Sequence, residues 1–184
     1  DLFLAALALV IAWEILALIL NRDILPAPLT VVSALVVELP RRLAADFLVS
    51  AWRVVASIAL AIVLGTPAGL VLGQFEKLNR FFAPLIYLTY PIPKIVLLPV
   101  IFLFLGIGDA TKIAVVFLIL FFQVLVVVRD QSAALRPELI YSVQSLGAGR
   151  RALLRFVFLP ATLPAVLTAL RVSVGTAVAV LYYA

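Results

Sequence analysis

Five stretches of this sequence are apolar over a length that can cross a bilayer: Leu2–Leu20, Leu48–Gly73, Phe81–Leu105, Ala110–Val128 and roughly residue 163 to the end. One helical crossing takes about 20 largely apolar residues. Inside lipid, only a helix or a closed barrel leaves no backbone N–H or C=O unpaired, and unbroken runs of this length select helices. The expected fold is therefore all-α, a polytopic transmembrane helical bundle with five spans visible, forming a single transmembrane domain over residues 1–184. An odd number of spans suits a truncated bundle. The chain also opens at Asp1 without an initiator methionine and stops at Ala184 inside an apolar run, so it is expected to be a piece of a longer protein. Leu2–Leu20 has no basic leader and no small-residue cleavage site, so it is read as a retained helix rather than a signal peptide.

Composition removes most other classes. Hydrophobic residues make up 66% and charged residues 12%, and there is no cysteine, histidine or methionine. Disulfides, thiol chemistry and histidine metal sites are excluded, and with them most enzyme chemistry; no catalytic and no metal-ligating residues are expected. The net charge of +5 sits beside apolar spans rather than among aromatics on a polar face, so it reads as topology signals and cytoplasmic contacts, not as a nucleic-acid surface.

Between the first two spans, residues 21–47 read as a loop with an interfacial helix: Leu25-Pro26-Ala27-Pro28 is extended, Thr30 caps a short helix, and Pro40 stops it. Lysine and arginine in the short connections set the orientation. Lys77 and Arg80 in one turn, and Arg129, Arg136, Arg150, Arg151 and Arg155 in the segment 129–163, fall on one side by alternation, which is expected to be the cytoplasm. Arg22, Arg41, Arg42, Arg53 and Lys112 fall on the other.

Two spans carry unusual residues. Gly65, Gly69 and Gly73 form one helix face that permits close backbone approach, for packing within the chain or against another subunit; Pro67 loosens the ladder between them. In the third span, Tyr90-Pro91-Ile92-Pro93-Lys94 and Pro99 cannot belong to an uninterrupted helix, since each proline removes a donor and crowds the preceding turn. Broken backbone near mid-bilayer depth is tolerated only against protein or a water-filled cavity. Tyr90, Pro91, Pro93, Lys94 and Pro99 are therefore the candidate solute pathway. An ammonium at that depth either serves a polar interior or snorkels or pairs with a carboxylate such as Glu14. Glu14 itself reads as interfacial, and Asp109 and Lys112 as markers of the outer boundary at the Gly106–Gly108 turn.

The segment from about residue 130 to 162 is polar enough to leave the membrane. Pro137 and Glu138 suit the first turn of a helix running to about Ser145. Gly147 and Gly149 break it. A second amphipathic helix follows, with Arg150, Arg151 and Arg155 polar and Leu153, Leu154, Val157 and Phe158 apolar, closed by Pro160 and Pro164. A compact knob with an apolar ridge and a basic rim fits a partner's groove or a lipid surface.

Gly147 followed after nine residues by Val157-Phe158-Leu159-Pro160 resembles the "EAA" loop of the membrane permease subunits of ATP-binding cassette importers. Leu25-Pro26-Ala27-Pro28, the Gly65/Gly69/Gly73 helix, "PIPKIVLLP" running into Gly106-Ile107-Gly108, and "LPATLPAVLTALR" extend the likeness to the sulfonate, taurine and nitrate subgroup. Tyr141-Ser142-Val143 stands where the family has Glu-Ala-Ala, with Glu138 one turn earlier as the nearest acid. The resemblance implies a type I importer permease in the bacterial cytoplasmic membrane. It implies two permease copies, as a homodimer, enclosing a pathway, two ATPase subunits that bind ATP and Mg, and a periplasmic or lipid-anchored solute-binding protein. It makes Gly147 the pivot of the ATPase-coupling loop, Leu153, Leu154 and Val157 its seated surface, and Arg150 and Arg151 its rim. No cofactor is expected on this chain, which lacks a phosphate-cradling glycine-lysine loop. Lys94 and the likeness favour a small anion as solute. A secondary transporter would show paired interruptions in two halves, and only one interruption is present; a structural subunit of a membrane complex is the other alternative.

Overall fold

The computed structural model describes residues 1–20 and 24–184, and all regular structure among them is helical. Asn21 and Arg22, assigned above to the first connection and its basic set, lie outside the described residues. The chain divides into two compact units, residues 1–49 and 50–184.

In the first unit, α1 (Leu2–Leu20) matches the expected span, and the Trp13 indole N–H donates to the Pro26 carbonyl at 3.1 Å. Helix α2 (Pro28–Glu38) begins one turn earlier than Thr30 suggested, because Pro28 itself occupies the first turn, where a missing N–H costs nothing. Pro40 does not stop the helix either. A π-helical turn, Leu39–Leu43, absorbs it: the Ala44 N–H reaches back five residues to the Leu39 carbonyl, and the chain runs on as α3 (Ala44–Gln74).

The second unit is built around α6 (Asp109–Ala133), whose Val115, Val116, Leu120, Val124 and Val128 are wholly enclosed. The part of α3 beyond Ser50 lies parallel to it in fixed register. Arg53 pairs with Asp109 and the Ser57 hydroxyl donates to the Ile113 carbonyl, partners 56 residues apart. Gly65, Gly69 and Gly73 continue the same spacing against Phe121, Leu125 and Arg129. Parallel α3 and α6 put the turn after α3 and the segment after α6 at one end, so the two basic stretches share a side. Asp109, expected only to mark a boundary, accepts hydrogen bonds from Arg53 and ties the two helices together at the end away from those basic stretches.

The return between them is the expected broken span. Helix α4 (Glu76–Thr89) and the run through a 3₁₀ turn (Lys94–Leu97) into α5 (Leu98–Leu105) meet at an 82° bend. After α6 come α7 (Pro137–Ser145) and α8 (Arg150–Leu153), then a π-helical turn (Leu154–Phe158) and α9 (Leu159–Tyr183), which packs back along α6. Pro160 and Pro164 do not close a separate helix: the Leu159 N–H bonds to the Leu154 carbonyl five residues back, and helical structure continues from Arg150 to Tyr183.

Candidate functional sites

Two places combine chemistry with exposure. The first is the break in the third span. Pro91 lies in the turn, and Pro93 adopts an extended conformation just before the 3₁₀ turn. Both follow α4, whose last carbonyls have no helical N–H to accept from. Lys94 fills most of that deficit: its ammonium donates to the Thr89 carbonyl at 2.8 Å, which also accepts from the Ile92 N–H at 3.2 Å, and to that of Tyr90, and lies 4.8 Å from the centre of the Phe122 ring and 5.3 Å from that of Tyr90. Lys94 is 9% exposed, and among the described residues no carboxylate lies within ion-pairing distance of it. Its charge is met by carbonyl dipoles and ring faces alone. Phe122 lies about 20 Å along α6 from Asp109, at 1.5 Å per residue. Since α6 is about 36 Å long, Lys94 sits beside the middle of that helix.

Beside the ammonium opens a cavity of about 490 Å³, lined by Tyr90, Pro93, Lys94, Phe122, Gln123 and Tyr183 among others. Pro99 is absent from its wall: it lies in the first turn of α5, where proline is compatible with the helix. Gln123 and Tyr183 were not anticipated. Gln123 had a signal, being an amide in the middle of an otherwise apolar run; Tyr183 had none short of the packing of α9.

The second place is the segment after α6. Helix α7 ends in the bond pattern that closes helices on a left-handed residue. Gly147 has φ +85°, its N–H bonds to the Gln144 carbonyl at 2.9 Å, and the Ala148 N–H to that of Val143 at 3.4 Å. A side chain at Gly147 would meet no steric neighbour, so its requirement is conformational. Gly149, in extended backbone, precedes α8. Leu153 and Val157, expected as the seated surface, lie instead in the chain's own core with Phe158, at 6% and 4% exposure. The π-helical turn rotates this face inward against α6 and α9. What points outward is Tyr141, Leu146, Leu154 and Phe156, with Glu138, Arg150, Arg151, Leu159 and Pro160 also exposed.

One residue was misassigned. Arg129, counted among the loop cations, lies in the last turns of α6 with its side chain 6% exposed. Its guanidinium pairs with Asp130 at 2.8 Å, donates to the Tyr87 hydroxyl at 3.3 Å, and stands 5.2 Å from the centre of that ring.

A sequence model of the family described as "Binding-protein-dependent transport system inner membrane component" matches residues 61–181. The chain is 32% identical over 123 residues to the taurine transport system permease protein TauC of Escherichia coli, covering 67% of this chain and 45% of that protein. It is 33% identical over 180 residues to a putative ABC transporter permease of Methanocaldococcus jannaschii, covering 95% of this chain and 67% of the relative. It is also 32% identical over 174 residues to the formylaminopyrimidine transport permease ThiX of Halalkalibacterium halodurans, covering 94% and 69%. The chain thus spans less than half of the first relative and about two thirds of the others.

Proposed function

Because this chain belongs to the binding-protein-dependent transport system inner membrane components, the permeases of ATP-binding cassette importers, we propose that it lines a solute pathway and draws its driving force from a separate ATPase docked on the segment 134–160. The observation that carries this reading is the division of that segment into a buried root and a bare crest. Leu153, Val157 and Phe158 anchor it in the core, while Tyr141 at 66%, Leu146 at 87% and Phe156 at 68% stand free beside Arg150, Arg151 and Arg155. Aromatic and aliphatic anchors with an arginine rim are what a protein groove engages. Since helical structure runs unbroken from Arg150 into α9, a push on the crest is delivered to a span.

In this reading two permease copies, as a homodimer in the bacterial cytoplasmic membrane, enclose the pathway, and two ATPase subunits bind ATP and Mg. A periplasmic or lipid-anchored protein delivers the solute. The cavity at Tyr90, Pro93 and Lys94 is a stretch of the pathway, and an ammonium without a carboxylate favours a small anion there. The relatives named for taurine and for formylaminopyrimidine share the family while differing in cargo, so selection rests partly outside it.

The full-length protein co-expressed with its ATPase subunit should retain it through purification. Leu146→Asp should release the ATPase. Gly147→Val should retain membrane insertion but lose solute-stimulated hydrolysis, because a β-branched residue at φ +85° forces the turn to rearrange. Wild-type stimulation in both variants refutes the docking role.

A further inference from the structure

Arg129 occupies a junction that the transport reading does not use. Its backbone is the point where α6 comes closest to α3: a Cβ at Gly69 would lie 3.0 Å from the Arg129 amide nitrogen, and one at Gly73 would lie 2.6 Å from the Arg129 carbonyl oxygen. Its side chain reaches a third helix, α4, through the Tyr87 hydroxyl and ring. Two and three residues beyond Tyr87 stand the carbonyls of Thr89 and Tyr90 that hold the Lys94 ammonium. One helical turn beyond Arg129 in the other direction, α6 ends and the exposed crest begins.

A guanidinium buried to this degree is costly, and this one is incompletely matched: Asp130 and Tyr87 engage Nε and Nη2, while Nη1 is buried without a partner. Had the side chain only to be neutralised, it could follow Asp130, 60% exposed, to the surface. Instead it stays folded under Tyr87. The Tyr87 contact is the only side-chain hydrogen bond from α6 to α4 among the described residues.

We propose that Arg129 is a positioning residue that links the inner end of α6 to the broken span, so that displacement of the segment 134–160 moves α4 and the Lys94 cradle with it. The link rests on the coupling reading above. It works because both of its ends are stiff: the Arg129 backbone is pinned by the glycine seam, and Tyr87 is fixed to the carbonyls by less than one helical turn.

A single Ile92→Cys, 49% exposed in the bend, introduced into full-length permease and ATPase chains whose own cysteines are replaced by serine, gives a site-specific reporter. The measurement is its labelling rate with a water-soluble maleimide in the full-length permease–ATPase complex, with and without ATP plus vanadate. The parent is expected to change its rate on nucleotide trapping. Tyr87→Phe, which removes one hydroxyl from a residue 64% exposed, should assemble with the ATPase and lose that change. Adding Arg129→Gln to Tyr87→Phe should cause no further loss, since both remove one interaction. A responding parent with an equally responsive Tyr87→Phe overturns the link alone. A parent that assembles yet does not respond overturns the coupling reading and this inference together.

Discussion

Along the α3–α6 seam two continuous helices meet backbone to backbone, α3 passing Pro67 without a break, with glycines at 65, 69 and 73 holding one register from Arg53·Asp109 to Gly73·Arg129. Across Glu76–Leu105 the chain instead breaks at Pro91 and Pro93 in a bend of 82°, where a lysine meets the carbonyls at the end of the helix. Both satisfy the bilayer's demand that no polar backbone group go unpaired. The seam does so with contacts spread over five turns, so nothing short of separating the helices changes it. The bend is held by one flexible side chain and a few local backbone bonds, such as Ile92 N–H to the Thr89 carbonyl at 3.2 Å, so it can change shape by breaking far fewer contacts. A stiff strut beside a deformable segment is the arrangement expected of a pathway wall that must move.

The contrast can be broken most severely at the seam. Gly69→Val places a branched side chain where even Cβ would lie 2.7 Å from the Leu125 carbonyl oxygen and 2.8 Å from Val128 Cβ, atoms that cannot yield without parting the helices. A loss of about 3 kcal/mol is expected from such overpacking. Gly65→Ala, with its nearest contacts at 3.2 Å, should stay within about 1 kcal/mol of the parent, because modest crowding is offset by the helix preference of alanine. Thermal denaturation of the full-length protein in detergent measures both, and equal midpoints for the two variants remove the seam as the rigid element.

At the bend, Lys94→Met keeps the length of the side chain but leaves the Tyr90 carbonyl without the ammonium and the Thr89 carbonyl with only the Ile92 N–H, a cost of about 1–3 kcal/mol. The same melting assay reads it, and an unchanged midpoint means the bend does not depend on the ammonium. The smallest effect belongs to the outer tie: Arg53 is 19% and Asp109 56% exposed, so Arg53→Gln should cost less than about 1 kcal/mol, and less still in high salt. A larger loss would make that ion pair, rather than the glycines, the determinant of register.

What the residues announce and what they conceal follow the range of the interactions. Leu2–Leu20 and Pro137–Ser145 were readable to the residue, because an apolar run, a proline at the first turn and a glycine past the last are local signals. The bend at Pro91–Pro93 was readable for the same reason. Pro40 and Pro160 misled because a π-helical turn beside each lets the helix pass, and whether that turn forms depends on what packs around it. Leu153 and Val157 were apolar on a polar-looking helix and so were assigned to a partner, yet α6 and α9 had already claimed them. Arg129 looked like any cation after a span.

The amino-acid order by itself determined that this is a membrane-spanning helical chain with one broken crossing and one exposed segment interrupted by glycine, since hydropathy, proline and glycine act through the backbone of their immediate neighbours. Only the tertiary structure decided which way the amphipathic faces turn, in what register α3 and α6 meet, that Lys94 is held by carbonyls, and that Arg129 reaches Tyr87 as well as Asp130 instead of solvent. The seam and the Arg129–Tyr87 contact join groups 56 and 42 residues apart, and no local pattern specifies such a meeting; the carbonyls that hold Lys94 are only four and five residues away, but it is the bend and the packing of Phe122 that turn the ammonium onto them.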